Sequence, residues 1–429
     1  MKKCMIVFAF LQCIPLMLFA GGQKETTPTK DSSVTIRYFD SVNDAEQKIR
    51  NDWTYENIRI FQERNPNIKI ELTNTPNGDQ YLNKLSTEMA ANNVPDVFMT
   101  WTAGRFEPFV KAGRVQPLDD IIDNSSLKSV VNKGNCSATT FDGKIYAIPM
   151  ELAGEVIYYN KALFKKYNVK LPETWEELLV AIKTFKANGT IPFALANKDP
   201  WPGTIFYMAM FDKLFGPDEY KKTCFQKQAV FNSEPYIETA KYLAELVKAG
   251  AFPDNFNSLE DTEGIALFRT GKAAMRYNGT WELPDHITAL GDNLGIMNWV
   301  TMPSGKGKRN EGWLTVQNEA YAIGAASKHK AEAAKFLEFM LSPERQKVLA
   351  EAGFMTALNV PFDKTKLNPV VAEITAVLSS SPNPVLIWDV MLGQNIGKEL
   401  NLATQAILGG ADIKHTLDRL NKTAANEWK

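Results

Sequence analysis

The sequence predicts an α/β protein of two domains. Early in the chain, strand-like segments alternate with helix-like segments, which is the pattern of a largely parallel sheet covered by helices. The chain has 429 residues, which is too long for one compact core. Its hydrophobic content of 45% and charged content of 23% are ordinary for a globular protein.

The first half of the alternation begins with VTIRYFD at 34–40, where apolar residues occupy alternate positions. Residues with helical spacing follow, and Pro66 ends that helix. Three further segments continue the order: strand-like 67–73, helix-like 81–93 and strand-like 94–101. Because ligands of such sheets gather at the carboxyl ends of strands, this region predicts one wall of a binding cleft.

The pattern resumes at 144–164, which is predicted to form two extended pieces separated by a polar break at 151–155. Thr174 and Glu177 form a capping box at the start of the next helix. The remaining segments are helix-like 233–250, strand-like 294–303 and 319–327, a helix pair divided at Ser342-Pro343, and a C-terminal helix.

The N-terminal residues are predicted to direct export rather than to join the fold. Residues 1–20 combine Lys2 and Lys3 with a short apolar run that ends at Ala20, which is typical of a signal peptide. Residues 21–33 are polar and rich in Gly, Thr and Ser, so they are predicted to be a flexible tether. Cys13 lies in the middle of the apolar run, which supports a lipid anchor only weakly and leaves that alternative open.

Composition and motifs exclude several functions. The formal net charge of −1 gives no basic surface for nucleic acid or an anionic membrane. The three histidines are widely separated, and no zinc, nucleotide-loop or serine-hydrolase motif occurs, so we predict no metal and no cofactor. Cys136 and Cys224, the two cysteines beyond the signal peptide, lack metal or redox spacing and are predicted to be free thiols.

Four segments in this order resemble family 1 of the extracellular solute-binding proteins of ABC importers, the class of maltose- and oligosaccharide-binding proteins. They are VPDVFMTWTAGRFEPFVKAGRVQPLDD (94–120), FDGKIYAIPMELAGEVIYYNKALFKKYNVKLPETWEEL (141–178), LFRTGKAAMRYNGTWEL (267–283) and AYAIGAASKHKAEAAKFLEFMLSPERQ (320–346). The resemblance covers nearly the whole chain after the signal peptide. It is specific for the family and much less so for the ligand.

The resemblance implies a type II periplasmic-binding-protein fold with two lobes, three interlobe crossings and a central cleft that closes by hinge bending. On this template the N-terminal lobe takes 34–148 and 281–322, and the C-terminal lobe takes 149–280 and 323–429. Crossings are expected near Glu151 and at the NGTW turn. The implied protein is a monomer outside the cytoplasm that delivers a small-molecule carbohydrate to an ABC permease and is not an enzyme.

A sugar cleft needs aromatic rings for the C–H faces of the pyranose and polar groups for its hydroxyls. The chain has nine tryptophans. Five of them fall where loops are expected and are candidates for stacking: Trp101, Trp201, Trp281, Trp313 and Trp388. We expect Trp281→Ala to weaken ligand binding while leaving the stability of the unliganded protein nearly unchanged.

The polar candidates follow from topology and from the resemblance. Asp40 and Asn43 follow the first strand. The resemblance adds Arg105, Glu151 and Asp389 as partners for hydroxyls. Relatives that bind maltose carry an acidic residue before this arginine, where the chain has Gly104, so the identity of the sugar stays open.

Two other functions remain as alternatives. The same fold could bind a polyamine or a peptide, with Glu151 and Asp389 holding an ammonium group. A secreted glycosidase would use the same two carboxyls at about 5–10 Å from each other. A ferric-ion receptor based on Tyr158 and Tyr159 is disfavoured, because consecutive residues of a strand face opposite sides.

Overall fold

The alternation of strands and helices is present in the computed structural model of the chain. The structure describes residues 33–429 except 77, 304, 306–313, 364, 366 and 381–384. The predicted signal peptide and nearly all of the predicted tether lie outside the described residues. In the part that is described, no helix is long and apolar enough to cross a membrane.

The strands are short except for two that run through the middle of the molecule. In chain order they are β1 Val34–Asp40, β2 Ile68–Asn74, β3 Val97–Thr100, β4 Thr140–Phe141, β5 Lys144–Ile145, β6 Ile148–Asn160, β7 Ile191–Phe193, β8 Ala273–Gly279, β9 Leu294–Met297, β10 Leu314–Ile323 and β11 Val385–Leu386. The two long strands are β6 and β10.

The helices cover both ends of the sheet. In chain order they are α1 Asp44–Arg64, α2 Gly78–Ala90, α3 Ala103–Lys111, α4 Asp119–Asp123, α5 Leu127–Val130, α6 Lys161–Lys166, α7 Trp175–Ala187, α8 Trp201–Phe215, α9 Pro217–Cys224, α10 Glu234–Ala249, α11 Asp261–Arg269, α12 Leu283–Leu290, α13 Lys330–Met340, α14 Pro343–Ala352, α15 Pro369–Ser380, α16 Trp388–Met391, α17 Gly393–Leu408 and α18 Ile413–Glu427. Local sequence explains several ends: Thr174 and Glu177 form the predicted capping box of α7, and Gly250 ends α10 in the left-handed conformation.

The main sheet is mixed rather than largely parallel. Its strand order is β2-β1-β3-β10-β6-β8-β7, with β11 beside β10 and β9 beside β6. Strand β1 pairs in parallel with β2 and β3, whereas β10 is antiparallel to both β3 and β6. Strands β6 and β10 thus connect the parallel strands β1, β2 and β3 on one side of the sheet to strands β7, β8 and β9 on the other side.

Two large cores lie on either side of this central strand pair, as expected for two lobes. The first core contains side chains from 36–150 and 320–358. The second contains side chains from 153–302 and 387–424. A smaller apolar cluster joins α11, α12 and α15 to the strands of the second lobe. The chain therefore passes between the large cores three times, within 150–153, 302–320 and 358–387.

The positions of these cores correct the predicted lobe boundaries. Residues 281–302 were assigned to the first lobe, but Leu283, Trp299 and Met302 pack in the second. Residues 323–358 were assigned to the second lobe, but they pack in the first core. The NGTW turn is therefore not a crossing, because residues on both sides of it belong to the same lobe.

Two local predictions also need correction. The polar break predicted at 151–155 does not interrupt the backbone, because β6 is one strand of 13 residues whose polar side chains are buried. The loop expected around Trp201 is instead helix: Trp201 begins α8 directly after Pro200, and Pro202 occupies its first turn. Proline suits the first turn of a helix because it has no amide hydrogen to leave unpaired.

Cys136 and Cys224 are both free and buried, one in each lobe. Burial raises the pKa of Cys136 to about 11 and holds the pKa of Cys224 well above its ordinary value. Since the thiolate is the reactive form, we expect neither thiol to react with a disulfide reagent in the folded chain that lacks residues 1–20. Both should react after unfolding without reductant. Fewer than two reactive thiols in the unfolded chain would contradict this prediction.

Candidate functional site

A cleft lies between the two cores. Its first wall comes from the loops and helices that follow β1, β2 and β3, together with one residue of β10. Its second wall comes from the start of α8, the turn after β8 and the start of α16. The lining residues on the first side are Ser41, Asn43, Glu46, Gln47, Pro76, Gly78, Asp79, Met99, Trp101, Arg105 and Glu319. Those on the second side are Asp199, Trp201, Ile205, Trp281, Ile387, Asp389 and Val390.

The structure brings six of the ten predicted site residues to this cleft. They are Asn43, Trp101, Arg105, Trp201, Trp281 and Asp389. Asn43 reaches the cleft while its side-chain oxygen accepts a hydrogen bond from the Ala45 amide at 3.0 Å, so it also caps α1. Both walls therefore contribute an indole and at least one polar group.

Arg105 and Asp389 connect the two walls. Nη2 of Arg105 donates to Oδ2 of Asp389 at 2.8 Å, and Asn401 donates to the same oxygen at 3.2 Å. The Arg105 guanidinium lies 5.4 Å from the centre of the Trp101 ring, within the range of a cation–π contact. Oδ1 of Asp389 and Nε of Arg105 are buried without a hydrogen-bond partner among the described residues. These two atoms therefore keep unused hydrogen-bonding capacity in two side chains that line the cleft.

Close backbone packing accompanies this ion pair. A Cβ atom on Gly104 would lie 2.3 Å from the carbonyl oxygen of Met391, which no side chain can accommodate without a shift of the backbone. Gly393, on the other side of this contact, has φ +81°. A glycine at position 104 is thus required here by the approach of α3 to α16 and α17.

Trp201 and Trp281 form the aromatic part of the second wall. Their ring centres are 6.0 Å apart with an interplanar angle of 56°. The indole of Trp281 folds back over Gly279, where a Cβ atom would lie only 2.1 Å from the ring. Gly279 therefore leaves room for the ring, and Trp281 faces the cleft while only 7% of it remains exposed.

A buried ionic network holds the turn that carries Trp281. Arg276 on β8 donates to the two carboxylate oxygens of Glu282 at 2.6 and 2.7 Å and to Asp261 at 2.8 Å. Asn278 donates to Glu282 at 2.8 Å. Burial raises the pKa of Glu282, but Arg276 and then His286 outweigh it and lower the pKa to about 2. Glu282 is thus ionised, and it fixes the short 3-10 helix that contains Trp281.

His286 completes this network in a neutral form. Its Nδ1 accepts from Nε of Arg269 at 3.1 Å, so Nε2 carries the proton and donates to Glu282 at 2.9 Å. Burial lowers the pKa of His286 to about 4, with Glu282 acting in the opposite direction. An arginine on one side and a carboxylate on the other therefore select a single tautomer.

We expect His286→Gln to reduce the loss of stability in acid. An unfolded histidine has a pKa of about 6.5, so between there and about pH 4 the unfolded chain binds a proton that the folded chain does not. The free energy of unfolding of the wild type therefore decreases as the pH is lowered from about 6.5 to about 4. Denaturant unfolding at about pH 7 and about pH 4.5 should show the wild type losing about 2 kcal/mol more than the variant. An equal loss in both proteins would contradict the buried, neutral assignment.

Asp40 does not reach the cleft, contrary to the prediction. It is fully buried beside Arg50, whose Nη2 lies 3.1 Å from its carboxylate and whose Nε donates to Glu319 at 2.8 Å. Tyr38 also donates to Asp40, and Tyr321 bonds to Arg50. Asp40 therefore belongs to a buried ionic network below the first wall, and of its carboxylate members only Glu319 lines the cleft.

Glu151 and Trp388 are likewise absent from the lining. Glu151 is 1% exposed in β6, opposite residue 318 of β10 and beside Thr356. Trp388 is fully buried among aromatic side chains of the second core, where its ring centre is 4.7 Å from that of Phe211. The position expected to stack on ligand thus supports the core, and its neighbour Asp389 faces the cleft. Trp313 lies outside the described residues.

Sequence reasoning missed several polar residues of the cleft, including Glu46, Gln47, Asp79 and Asp199. Gln47 has non-helical dihedral angles inside α1, and its side-chain oxygen is buried without a partner in the described part of the chain. Glu319 has φ +47° and interrupts the pairing of β10 with its neighbours. Both backbone distortions arise from tertiary packing, so local pattern could not reveal them.

Comparison with known proteins identifies similar chains. The sequence profile described as bacterial extracellular solute-binding protein matches residues 41–347. Multiple sugar-binding protein from Streptococcus mutans serotype c is 27% identical over 339 residues, which are 76% of this chain and 75% of that protein.

Solved structures with the same fold include two that cover almost the whole chain. One, from work on xylan utilization by Caldanaerobius polysaccharolyticus, has a TM-score of 0.83 and 28% identity over 91% of this chain and 99% of that one. Another, described as SBP RafE in complex with raffinose, has a TM-score of 0.76 and 25% identity over 92% of this chain and 99% of that one.

Proposed function

The chain belongs to the family of bacterial extracellular solute-binding proteins, and from this premise we propose that it captures a carbohydrate in its cleft and delivers it to an ABC permease. The periplasm or the cell exterior is the place where such a protein acts. The protein works as a binding component and carries out no reaction on the sugar.

The observation that carries this proposal is the arrangement of three indoles around one cleft. Trp101 lies on the first wall, and Trp201 and Trp281 lie on the second. Flat rings on facing walls suit a pyranose, whose C–H faces are apolar and whose edges carry hydroxyls. Arg105 and Asp389 supply a charged donor and acceptor beside the rings, where they would bind hydroxyl groups and set orientation.

The similar proteins support the same ligand class. The names of these similar proteins refer to multiple sugars, raffinose and xylan utilization, which differ in monomer and linkage. Because the ligands in these names range in size, we propose an oligosaccharide as well as a monosaccharide as ligand.

Isothermal titration against a panel of sugars tests this proposal. The panel contains raffinose, stachyose, xylo-oligosaccharides, chito-oligosaccharides and malto-oligosaccharides, and we expect at least one series to bind. The sugar that binds should also reduce the radius of gyration in solution scattering, because closure of the two lobes around it is expected. Absence of binding across the panel would contradict the proposal. Binding without a decrease in the radius of gyration would contradict only the expected closure of the two lobes.

A second candidate function has one observation in its favour. Five carboxylates and one guanidinium line the cleft among the described residues, which also suits a polyamine or a basic peptide. Spermidine is the matching probe, because it carries several ammonium groups and no sugar ring. Binding of spermidine without binding of any sugar would favour this candidate. The glycosidase alternative loses its carboxyl pair, because Glu151 does not line the cleft.

The partners of the protein follow from this proposal. The carbohydrate-loaded protein would dock on the transmembrane subunits of an ABC importer, and we propose that it does so as a monomer. Size-exclusion chromatography with light scattering checks the oligomeric state, with and without the sugar that binds in titration. A stable dimer would contradict the monomer.

A further inference from the structure

The sign of the charge in the cleft restricts the class of ligand beyond the proposed function. The charged side chains among the described lining residues are Glu46, Asp79, Asp199, Glu319, Asp389 and Arg105. Arg105 is paired with Asp389, and Glu319 is paired with Arg50 below the wall. In the described part of the lining, no further basic side chain remains to receive an anionic group of a ligand.

Glu46 is a lining residue that has two further carboxyl groups beside it. It is in the first turn of α1, on the first wall, and it faces residues that belong to the second lobe. Carboxyl oxygens of Glu46, Asp261 and Glu282 lie within 4.8 Å of one another. Three carboxyl groups from two lobes thus meet beside the cleft, and of these only Glu46 is among the described lining residues.

The arginines nearest to these carboxyl groups have their donors directed elsewhere. Arg276 bonds to Glu282, to Asp261 and to the carbonyl oxygen of Ala194. Arg269 donates to the backbone carbonyl oxygens of Ala45 and Glu46 at 2.8 Å. Neither guanidinium therefore presents a free donor edge to a ligand in the cleft.

The pKa of Glu46 indicates the electrostatic environment in this part of the cleft. Burial, and after it the carboxyls of Asp261 and Glu282, hold the pKa of Glu46 well above its ordinary value, while Arg276 acts in the opposite direction. A raised pKa means that the neutral form of Glu46 is favoured, because a negative charge at this position is unfavourable. A carboxylate or phosphate on a ligand would meet the same desolvation and repulsion, whereas a hydroxyl would not and an ammonium would be attracted.

We propose that the cleft accepts neutral and amino-bearing glycans and rejects glycans that carry a carboxylate or a phosphate, with Glu46 as the residue that sets this selectivity. The inference rests on the proposed function, because it concerns the same cleft. It assigns to Glu46 a contribution to specificity that neither motif nor strand position indicated.

Matched sugar series test the selectivity. Each pair shares its backbone and differs in charge: xylo-oligosaccharides with and without a glucuronosyl substituent, chito-oligosaccharides with and without N-acetyl groups, and raffinose beside the acid formed by oxidising C6 of its galactose. Isothermal titration of the wild type at low salt should give acidic members an affinity at least about tenfold below that of their neutral counterparts. Added salt should narrow this ratio, because it screens the repulsion.

Glu46→Gln removes the carboxyl while keeping its size and hydrogen-bonding capacity. At a pH high enough to ionise Glu46, we expect the variant to narrow the ratio between neutral and acidic members by about threefold or more, mainly by improving the acidic one. Glu71→Gln is the matched control, because Glu71 is exposed on β2 and lies outside the cleft lining. It should leave the ratio unchanged. If Glu46→Gln does not fold, the affinities of acidic and neutral sugars for the wild-type protein still test the selectivity.

The outcomes separate this inference from the proposed function. An acidic member that binds as tightly as its neutral counterpart, or more tightly, would overturn the selectivity and leave carbohydrate capture intact. A wild-type ratio that Glu46→Gln leaves unchanged would overturn the role of Glu46. Absence of binding by every sugar in all three series would overturn both the selectivity and the proposed function.

Discussion

Trp281→Ala should weaken binding of the sugar at least about tenfold and should also lower the free energy of unfolding by about 3 kcal/mol. The loss of affinity follows from removing an indole that lines the cleft beside Trp201. The loss of stability follows from burial, since Trp281 packs in the second core and only 7% of it is exposed. This burial favours a loss of stability over the expectation from sequence that stability would be nearly unchanged.

Trp175→Ala provides the matched control. Trp175 is 2% exposed in the same core, and it does not line the cleft. We expect a similar loss of stability on denaturant unfolding but no change in affinity by titration at a temperature where both variants are folded. If Trp281→Ala bound sugar as tightly as the wild type, the indole would be a core residue only. If Trp175→Ala also lost affinity, the effect would reflect general loosening of the lobe.

Arg276→Leu should lower the free energy of unfolding by about 3–5 kcal/mol. Arg276 is 1% exposed and bonds to both oxygens of Glu282 and to Asp261, so its removal leaves two buried carboxyls without their counter-charge. The side chain of Glu282 is fully buried and cannot turn to solvent without moving the turn that holds Trp281. Affinity for sugar should fall as well, because that turn positions the indole.

Two further variants make the test of Arg276 specific. Arg59→Leu removes an arginine whose ion pairs with Glu56 and Glu63 are exposed, so we expect a change below about 1 kcal/mol. The double variant Arg276→Leu with Glu282→Leu should recover part of the loss, because it removes a buried charge together with its partner. A loss below about 1 kcal/mol in Arg276→Leu would show that the network contributes little.

The order of strands and helices could be predicted because its signals are local. Alternation at 34–40, the capping box at Thr174 and the glycine at position 250 each act within a few residues, and the structure has the corresponding elements. The lobe boundaries could not be predicted this way. Residues 281–302 belong to the second core because β9 pairs with β6, and that pairing joins segments more than a hundred residues apart.

The residues of the site were predictable only in part, for the same reason. Trp101 and Arg105 follow a strand whose end opens on the cleft, so topology located them. Trp388 and Asp389 are adjacent, yet one faces the core and the other the cleft, and a short segment has no periodicity to separate them. Asp40 has the expected strand-end position, but Arg50 on α1 holds its carboxylate in the interior.

The contact between Gly104 and Met391 limits which sequences this protein can accept. Here the backbones of two lobes touch directly, since even one added carbon on Gly104 would lie 2.3 Å from the carbonyl oxygen of Met391. An alanine at this position would act as a wedge and would push apart the surfaces that Arg105 and Asp389 draw together. During evolution, substitutions in the lining of the cleft should therefore be tolerated more readily than a substitution of Gly104.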